Sequence, residues 1–280
     1  MNSINCNGKL LSLSKPQIMA IVNMTPDSFH RGSRVSGIDD ALSKIRHMIA
    51  EGAAIIDIGG QSSRPRANRI SAEDELVQVL EPIREIRKAF PDMILSVDTF
   101  YSHVASSLIE VGVDMVNDIS AGSIDPEIFR VIGQSSVAYV LMHMLGTPQT
   151  MQDNPNYDSV CMDILAFLKN KIYDIERNDI TEIVIDPGIG FGKTVDQNFE
   201  ILRKLNVFKI LNRPIMVGLS RKSLIYKTLN VTSQEALNGT SVLHLAALQQ
   251  GAKILRVHDV KEARETITLF ESLKGSKHTD

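Results

Sequence analysis

Short apolar runs alternate with longer segments of helical periodicity along almost the whole chain. The runs are rich in β-branched residues, which is typical of buried parallel strands. One intervening segment has apolar residues at positions 76, 79, 80, 83 and 86, the spacing of an amphipathic helix. The predicted strands are 17–22, 54–58, 94–97, 115–117, 137–142, 183–185, 215–217 and 254–257.

Eight strand–helix alternations imply parallel strands joined by crossover helices. The predicted helices begin near Ile38, Ala72, Ser102, Asp125, Tyr157, Asp196 and Gln234, and a last one covers 261–273. No linker divides the series, so the sequence predicts an α/β fold, a single (β/α)8 TIM barrel over residues 15–274. A doubly wound open sheet is the alternative. An Asn-Gly turn predicts a short β-hairpin within 1–14, and 275–280 form a polar tail.

Composition narrows the classes of partner and location. The 280 residues carry a formal charge of -3, and without a basic stripe they do not indicate a nucleic-acid partner. The longest apolar run, 137–142, is too short to span a membrane, and the N-terminus lacks a secretory signal pattern. Only two cysteines occur, Cys6 and Cys161, without metal-type spacing. These features favour a reduced, cytoplasmic setting.

Polar residues follow every predicted strand, and the active site of a barrel lies at that end of its strands. Three of them offer hydrogen-bond acceptors and suit the N–H-rich edge of a heterocycle: Asp98, Asn117 and Asp186. Five others offer positive charge and suit a phosphate or pyrophosphate: Arg64, Arg221, Lys222, Arg256 and His258. Together they predict a ligand with a cyclic amidine head and a phosphorylated tail.

The Gly-rich segment 188–194 is similar to a phosphate-binding P-loop, but its spacing is one residue short. It also fails the dinucleotide pattern, so we interpret it as a loop that turns sharply or approaches a ligand. The seven histidines are scattered, and only His143 and His258 fall on the predicted rim. A structural metal site is therefore not indicated.

Eight short motifs follow one another along the chain: NMTPDSF at 23–29, DIGG at 57–60, SVDT at 96–99, ND at 117–118, MHM at 142–144, DPGIGFGK at 186–193, SRKS at 220–223 and RVHDV at 256–260. In this order they resemble the motifs of the dihydropteroate synthases. They span nearly the whole chain. The resemblance implies that 6-hydroxymethyl-7,8-dihydropterin diphosphate is joined to p-aminobenzoate, with Mg²⁺ as cofactor. It also implies a homodimer inhibited competitively by sulfonamides.

The resemblance assigns roles to individual residues. Catalysis is expected from Asp98, Lys222 and Arg256. Pterin binding is expected from Asp98, Asn117, Asp186, Lys222 and Phe191. The p-aminobenzoate site is expected to include Ser63, Arg64, Pro65, Phe191 and Ser223. Diphosphate binding is expected from Asn23, Ser63, Arg64, Arg256 and His258, with Asn23 also near the metal.

Two loops depart from the family pattern. The usual Ser-Asp-Gly-Gly after the first motif is His30 to Ser33 here, which places Arg31 where an acid is usual. The usual Glu-Ser-Thr-Arg-Pro-Gly has become Gln-Ser-Ser-Arg-Pro-Arg, with Gln61, Ser63 and Arg66 as the differences. We interpret these as tolerated loop drift, or as a change in affinity for p-aminobenzoate or sulfonamides.

Two alternative functions remain open at the level of sequence. A pterin-binding methyltransferase would share the acceptors but has less need for the basic groups at 220–222 and 256–258. A paralogue that binds pterin without catalysis would be consistent with the two altered loops. Pyrophosphate release distinguishes the first alternative, and complementation of a strain lacking the synthase distinguishes the second.

Overall fold

In the computed structural model, the described residues are 2–24, 34–61, 69–153 and 155–275, with the backbone alone at 34–36. The first element is an antiparallel hairpin of β1 (Ser3–Cys6) and β2 (Lys9–Ser12). Its turn residues Asn7 and Gly8 have φ angles of 52° and 87°. Asn and Gly tolerate this left-handed conformation, which matches the twist of a two-residue hairpin. The predicted hairpin is confirmed.

Eight parallel strands form the barrel, and the first of them pairs with the last. Ile254 of the last strand is opposite Gln17 of the first, and a bridge between Ile185 and Ile215 joins the remaining two edges. The predicted (β/α)8 fold is confirmed. The strands are β3 (Gln17–Asn23), β4 (Ile55–Gly59), β5 (Ile94–Asp98), β6 (Met115–Asp118), β7 (Ala138–Met142), β8 (Ile183–Asp186), β9 (Met216–Gly218) and β10 (Ile254–Val257).

Helices in the described residues cover the outside of the barrel. They are α1 (Arg34–Ala50), α2 (Ala72–Ala89), α3 (Ser102–Glu110), α4 (Glu127–Gly133), α5 (Val160–Glu176), α6 (Val195–Arg203), α7 (Ser223–Leu229), α8 (Leu237–Gln250) and α9 (Val260–Leu273). Short 3₁₀ segments occupy Leu205–Leu211 and Gln234–Ala236. Helix α7 is not predicted by the sequence pattern, because its seven residues are too few for a clear helical period. Within these ranges, every helix is too short or too polar to cross a bilayer.

Six strands continue one residue beyond the predicted end. The polar residues at those positions, such as Asn23 and Asp98, belong to the strands and do not follow them. The register explains this difference, because Asn23 is opposite Gly59 and Gly59 is opposite Asp98. The hydrogen-bonded pairing between neighbouring parallel strands therefore continues through these positions. The polar ends are therefore held as rigidly as the strands themselves.

Side chains along each strand alternate between the barrel interior and the helices. In the lower half of the interior, near the N-terminal ends of the strands, apolar residues pack against the hairpin: Met19, Ile55, Ile94, Met115, Val140, Val184, Met216 and Ile254 against Ile4, Cys6, Leu11 and Leu13. Ile4 and Leu13 are buried. Burial of such a side chain contributes about 1.5–3 kcal/mol relative to exposure. The hairpin therefore closes the bottom of the barrel.

Candidate active site

The upper half of the interior is polar, because the strand alternation that points Met115 inward also points Asn117 inward. The register places Asp98 directly opposite Asn117, and Asp57 opposite Ser96 one layer lower. Asp118 has the opposite parity. It accepts hydrogen bonds from Tyr139 Oη and from the backbone N–H of Ser120, each at 2.7 Å. Asp118 therefore supports the barrel wall, and Asn117 faces the site.

Asp57 is the centre of a buried polar cluster. It was not among the site residues predicted from the sequence. Its carboxylate accepts from Ser96 Oγ at 2.6 Å, Asn117 Nδ2 at 3.1 Å and Arg256 Nε at 2.7 Å. Asp57 is completely buried. The available signal was an acid inside the apolar run of β4, because a buried charge requires partners.

Arg256 joins this cluster to Asp98. Its Nη2 donates to Asp98 Oδ2 at 2.6 Å, so the guanidinium lies between two carboxylates. Burial raises the pKa of Asp98 to about 7, although Arg256 opposes that shift. Burial alone would lower the pKa of Arg256, but attraction to Asp57 and Asp98 raises it above its ordinary value.

This geometry corrects the expected separation of charges. From the sequence, acceptors were expected at one end of the ligand and cations, including Arg256 and Arg221, at the other. In the structure Arg256 is paired with carboxylates. Arg221 forms a two-pronged ion pair with Asp259, with both distances 2.9 Å. Buried charges are stabilised when opposite signs interleave. Arg221 therefore orients the turn after β9 and is not available as a hydrogen-bond donor to a bound anion.

Asp186 and Lys222 flank the Gly-rich segment. Asp186 is buried at the end of β8, and its Oδ1 accepts from the Gly188 N–H at 2.7 Å. Burial raises the pKa of Asp186, and Lys222 is the largest opposing influence. Burial lowers the pKa of Lys222 to about 8. Its Nζ donates to the Ile189 carbonyl and lies 4.6 Å from the centre of the Phe191 ring. Lys222 and Asp186 also interact electrostatically with Arg256, which places them beside the cluster that holds Asp98 and Asn117.

Glu75 of α2 is a second buried acid that sequence reasoning missed. Its Oε2 accepts from Gln61 Nε2 at 2.9 Å and from Thr99 Oγ1 at 3.2 Å. Oε1 is buried and has no partner among the described residues. Burial, followed by the neighbouring charge of Asp98, raises the pKa of Glu75 to about 8. Its carboxyl therefore ties Gln61 to Thr99, the residue after Asp98.

The other predicted residues are less closely grouped. Asn23 is exposed at the end of β3, Ser223 is the first residue of α7, and His258 is exposed after β10. The His258 backbone N–H donates to Ser220 Oγ at 3.3 Å. Three predicted site residues, Ser63, Arg64 and Pro65, lie outside the described residues. The unusual loop residues Arg31 and Arg66 also lie outside them.

Comparison with known proteins decides the family. The model of the pterin-binding enzyme family matches residues 19–258. A dihydropteroate synthase of Haemophilus influenzae is 39% identical over 268 residues, which are 95% of this chain and 97% of that protein. The chain belongs to the dihydropteroate synthase family. As a member of this family it is an enzyme of folate biosynthesis that transfers a pterinylmethyl group.

Solved structures of dihydropteroate synthases agree with this assignment. The Yersinia pestis enzyme in complex with a sulfonamide drug superposes with a TM-score of 0.91 at 36% identity, covering 98% of this chain and 99% of that one. The Xanthomonas albilineans enzyme in complex with 7,8-dihydropteroate gives 0.85 at 31% identity, with the same coverage. The chain also spans half the length of a bifunctional folate synthesis protein of Arabidopsis thaliana, to which it is 40% identical.

Proposed function

We propose that this dihydropteroate synthase family member condenses 6-hydroxymethyl-7,8-dihydropterin diphosphate with p-aminobenzoate, giving 7,8-dihydropteroate and pyrophosphate. The observation that carries the proposal is the convergence of Asp98, Asn117, Asp186, Lys222 and Arg256 at one end of the barrel. The dihydropteroate bound to the Xanthomonas albilineans relative supports it, because that compound is a pterin joined through a methylene group to p-aminobenzoate.

The hydrogen bonds already present define which atoms would meet the pterin. Asn117 donates its Nδ2 to Asp57, which orients the amide and leaves Oδ1 as its acceptor for the ligand. Gly188 occupies Oδ1 of Asp186, so Oδ2 is the oxygen that we assign to the guanidine-like edge. A carboxylate facing two N–H donors forms a strong, oriented contact. Lys222 would donate to the pterin carbonyl and N5.

The diphosphate would lie at the rim, near Arg256, Asn23 and His258. Among the described residues, no group of three or more His, Cys, Asp or Glu side chains is arranged to hold a metal ion. Asn23 places one exposed amide oxygen at the rim. This donor set fits Mg²⁺, which prefers oxygen ligands and is commonly held by one or two protein groups plus substrate phosphates. When bound beside Asn23, Mg²⁺ would neutralise charge on the leaving pyrophosphate.

The reaction that these residues suit needs no protein nucleophile. The C–O bond to the diphosphate breaks and its electron pair leaves with pyrophosphate. The positive charge left on the methylene group spreads into the pterin ring, where an ionised Asp98 would stabilise it. The arylamine nitrogen then donates its lone pair to form the C–N bond and loses a proton. Arg256 would hold Asp98 and attract the departing anion.

The decisive experiment measures pyrophosphate release with both substrates, with and without Mg²⁺. Asp186→Ala should weaken binding of the pterin diphosphate at least about 100-fold in calorimetry, because it removes a charge-assisted contact. Asp92→Ala, at an exposed position before β5 at the opposite end of the barrel, is the matched control and should bind normally. Near-wild-type affinity in Asp186→Ala would refute the assignment.

The p-aminobenzoate site is proposed at Phe191 and Ser223 together with residues 63–65. Sulfonamides are expected to compete there, which the drug complex of the Yersinia pestis relative supports. Competition kinetics against p-aminobenzoate will test this point. A homodimer and a cytoplasmic location stay predictions.

Neither alternative function is favoured by a specific observation. The basic groups that argued against a methyltransferase are reduced to Lys222, Arg256 and His258, because Arg221 is paired with Asp259. The full-length bacterial relatives from Haemophilus influenzae and Escherichia coli are nevertheless dihydropteroate synthases. Turnover without pyrophosphate would reopen the methyltransferase alternative, and failure to complement a synthase-deficient strain would reopen the binding-only one.

A further inference from the structure

A buried lysine at the end of the Gly-rich segment has no role in the proposed reaction. Lys193 is 3% exposed. Its Nζ lies 2.8 Å from the carbonyl oxygens of both Gly188 and Phe191, and 3.0 Å from Nδ1 of His143. The His143 carbonyl oxygen lies at 3.3 Å, so four acceptors surround the three protons of an ammonium group. All four belong to neutral groups, so Nζ is held by dipoles. Burial lowers the pKa of Lys193, and the neighbouring charge of Asp186 opposes that shift.

His143 is prepared to accept that hydrogen bond. Burial, followed by the neighbouring charge of Lys193, lowers the pKa of His143 to about 3, so the ring is neutral and its Nδ1 can accept. The ring centre lies 4.9 Å from that of Phe167 in an edge-on contact and 6.0 Å from that of Tyr157. These two aromatic neighbours restrict the ring, so its nitrogen is a fixed point for the lysine.

The backbone of the segment approaches His143 as closely as a glycine allows. A Cβ on Gly188 would lie 1.8 Å from the His143 carbonyl oxygen, and the φ angle of Gly188 is +69°. The His143 N–H in turn donates to the carbonyl of Asp186 at 3.0 Å. The segment that carries Phe191 is therefore stacked directly on the end of β7.

Every carbonyl from position 188 to 192 has a side-chain partner. Lys193 takes those of Gly188 and Phe191, and Lys222 takes that of Ile189 from the side of the site. The remaining two partners are Gln152 with Gly190 at 3.0 Å and Tyr157 with Gly192 at 2.8 Å. Complete pairing holds an irregular backbone in one conformation. Two lysines thus hold one segment, Lys222 within the site and Lys193 away from it.

We propose that Lys193 is a positioning residue for the reaction: by binding the Gly188 and Phe191 carbonyls, its ammonium places the Gly188 N–H on Asp186 and the Phe191 ring beside Lys222, and so sets the affinity for the pterin substrate. The proposal rests on the proposed function. It concerns a side chain that touches neither substrate, so its effect passes through Asp186 and Phe191.

Lys193→Met tests this directly, because methionine keeps most of the side-chain length and removes the charge and the donors. The dissociation constant of the pterin diphosphate, measured by calorimetry without p-aminobenzoate, should rise about 10- to 100-fold, the effect of losing a hydrogen bond from a charged group. KM for that substrate should rise by more than kcat falls.

Lys253→Met is the matched control. Lys253 also donates to a backbone carbonyl, that of Leu13 at 3.0 Å, but at the bottom of the barrel. The same replacement there should leave the pterin dissociation constant unchanged, even where it lowers the melting temperature. The pair separates positioning of the site from general stabilisation of the fold.

Two variants of the partner keep the proposal testable if Lys193→Met does not fold. His143→Asn retains an acceptor near the place of Nδ1 and should bind the pterin diphosphate within about threefold of wild type, whereas His143→Leu should reproduce the loss. The double variant Lys193→Met, His143→Leu should be no worse than Lys193→Met alone, because the contact between Lys193 Nζ and His143 Nδ1 that His143→Leu removes is already absent in Lys193→Met.

A folded Lys193→Met with wild-type affinity, or equal affinities for His143→Asn and His143→Leu, would overturn the proposal. That outcome is distinguishable from failure of the proposed function, in which the wild-type enzyme itself releases no pyrophosphate from the two substrates.

Discussion

The two halves of the barrel interior are built from the same strands but with opposite chemistry. Below, Met115 and its neighbours are apolar and pack against the hairpin. Above, two or four residues further along their strands, Asp57, Asp98 and the partly buried Arg256 are in ionic contact. Apolar burial stabilises the fold, whereas buried charges at best offset the cost of their desolvation. The lower half therefore supplies stability and the upper half uses it for chemistry.

The largest effect is expected where a charge of the upper half loses its partner. Arg256→Met leaves Asp57 buried without its ion pair, which should lower the free energy of unfolding by about 3–5 kcal/mol. Activity should fall at least about 1000-fold, because the diphosphate donor is also lost. Urea unfolding and pyrophosphate release measure the two effects.

The double variant Asp57→Asn, Arg256→Met sharpens this separation. It removes Arg256 together with its completely buried partner, so part of the lost stability should recover, although Asp98 stays without its ion pair, and activity should stay lost. If activity recovered together with stability, the upper half would not be specialised in the way we describe.

The lower half should behave in the opposite way. Met115→Ala removes a fully buried side chain and should lower the free energy of unfolding by about 2–5 kcal/mol. KM and kcat should be unchanged at a temperature where the variant is folded, because Asn117 is held by the ladder of β6. A large change in KM for the pterin substrate would show that the two halves are coupled.

The upper half should also respond to pH. Below about pH 7 Asp98 gains a proton and no longer stabilises a cation, and above about pH 8 Lys222 loses its charge. The rate of the wild-type enzyme should therefore follow a bell-shaped profile with its maximum between these values. Asp98→Asn should remove the acidic limb, and Lys222→Arg should move the alkaline limb upward, since arginine stays charged. A flat wild-type profile would contradict these roles.

The smallest effect is expected at Glu75, at the edge of the upper half. The folded state raises its pKa from 4.5 to about 8, so its stabilising neutral form is fully present below pH 4.5 and is lost as pH rises through 8. Glu75→Gln cannot ionise, and its melting temperature should fall less than that of wild type between pH 5 and 8.5. Each kcal/mol of unfolding free energy that wild type loses over this pH range should appear as a difference of about 2–4 °C between the two melting temperatures. Glu73→Gln, an exposed neighbour on α2, should match wild type.

Sequence periodicity predicted the barrel and the placement of Asp98, Asn117 and Asp186. Strand alternation can be read from neighbouring residues, and the active site of a barrel lies at the C-terminal ends of its strands. It did not predict Asp57 as a site residue, since its partners lie 39, 60 and 199 positions away. Long-range ion pairing depends on which strands become neighbours. The sequence pattern also gave no role to Lys193, because the contacts of that lysine depend on an irregular backbone that contains three glycines with positive φ angles.

The pairing of the first barrel strand with the last has a consequence for synthesis of the chain on the ribosome. Lys253, at the edge of the last strand, accepts at its carbonyl the Gln17 N–H at 2.9 Å and donates its own Nζ to Leu13. The hairpin is translated before all eight barrel strands, and β10, which completes the surface against which it packs, is translated after the other seven. Contacts of such long sequence separation form slowly, and incomplete chains expose apolar surface. A nascent chain that lacks β10 would leave the apolar cluster of the hairpin without Ile254, and so open to chaperones and to other chains until β10 is made.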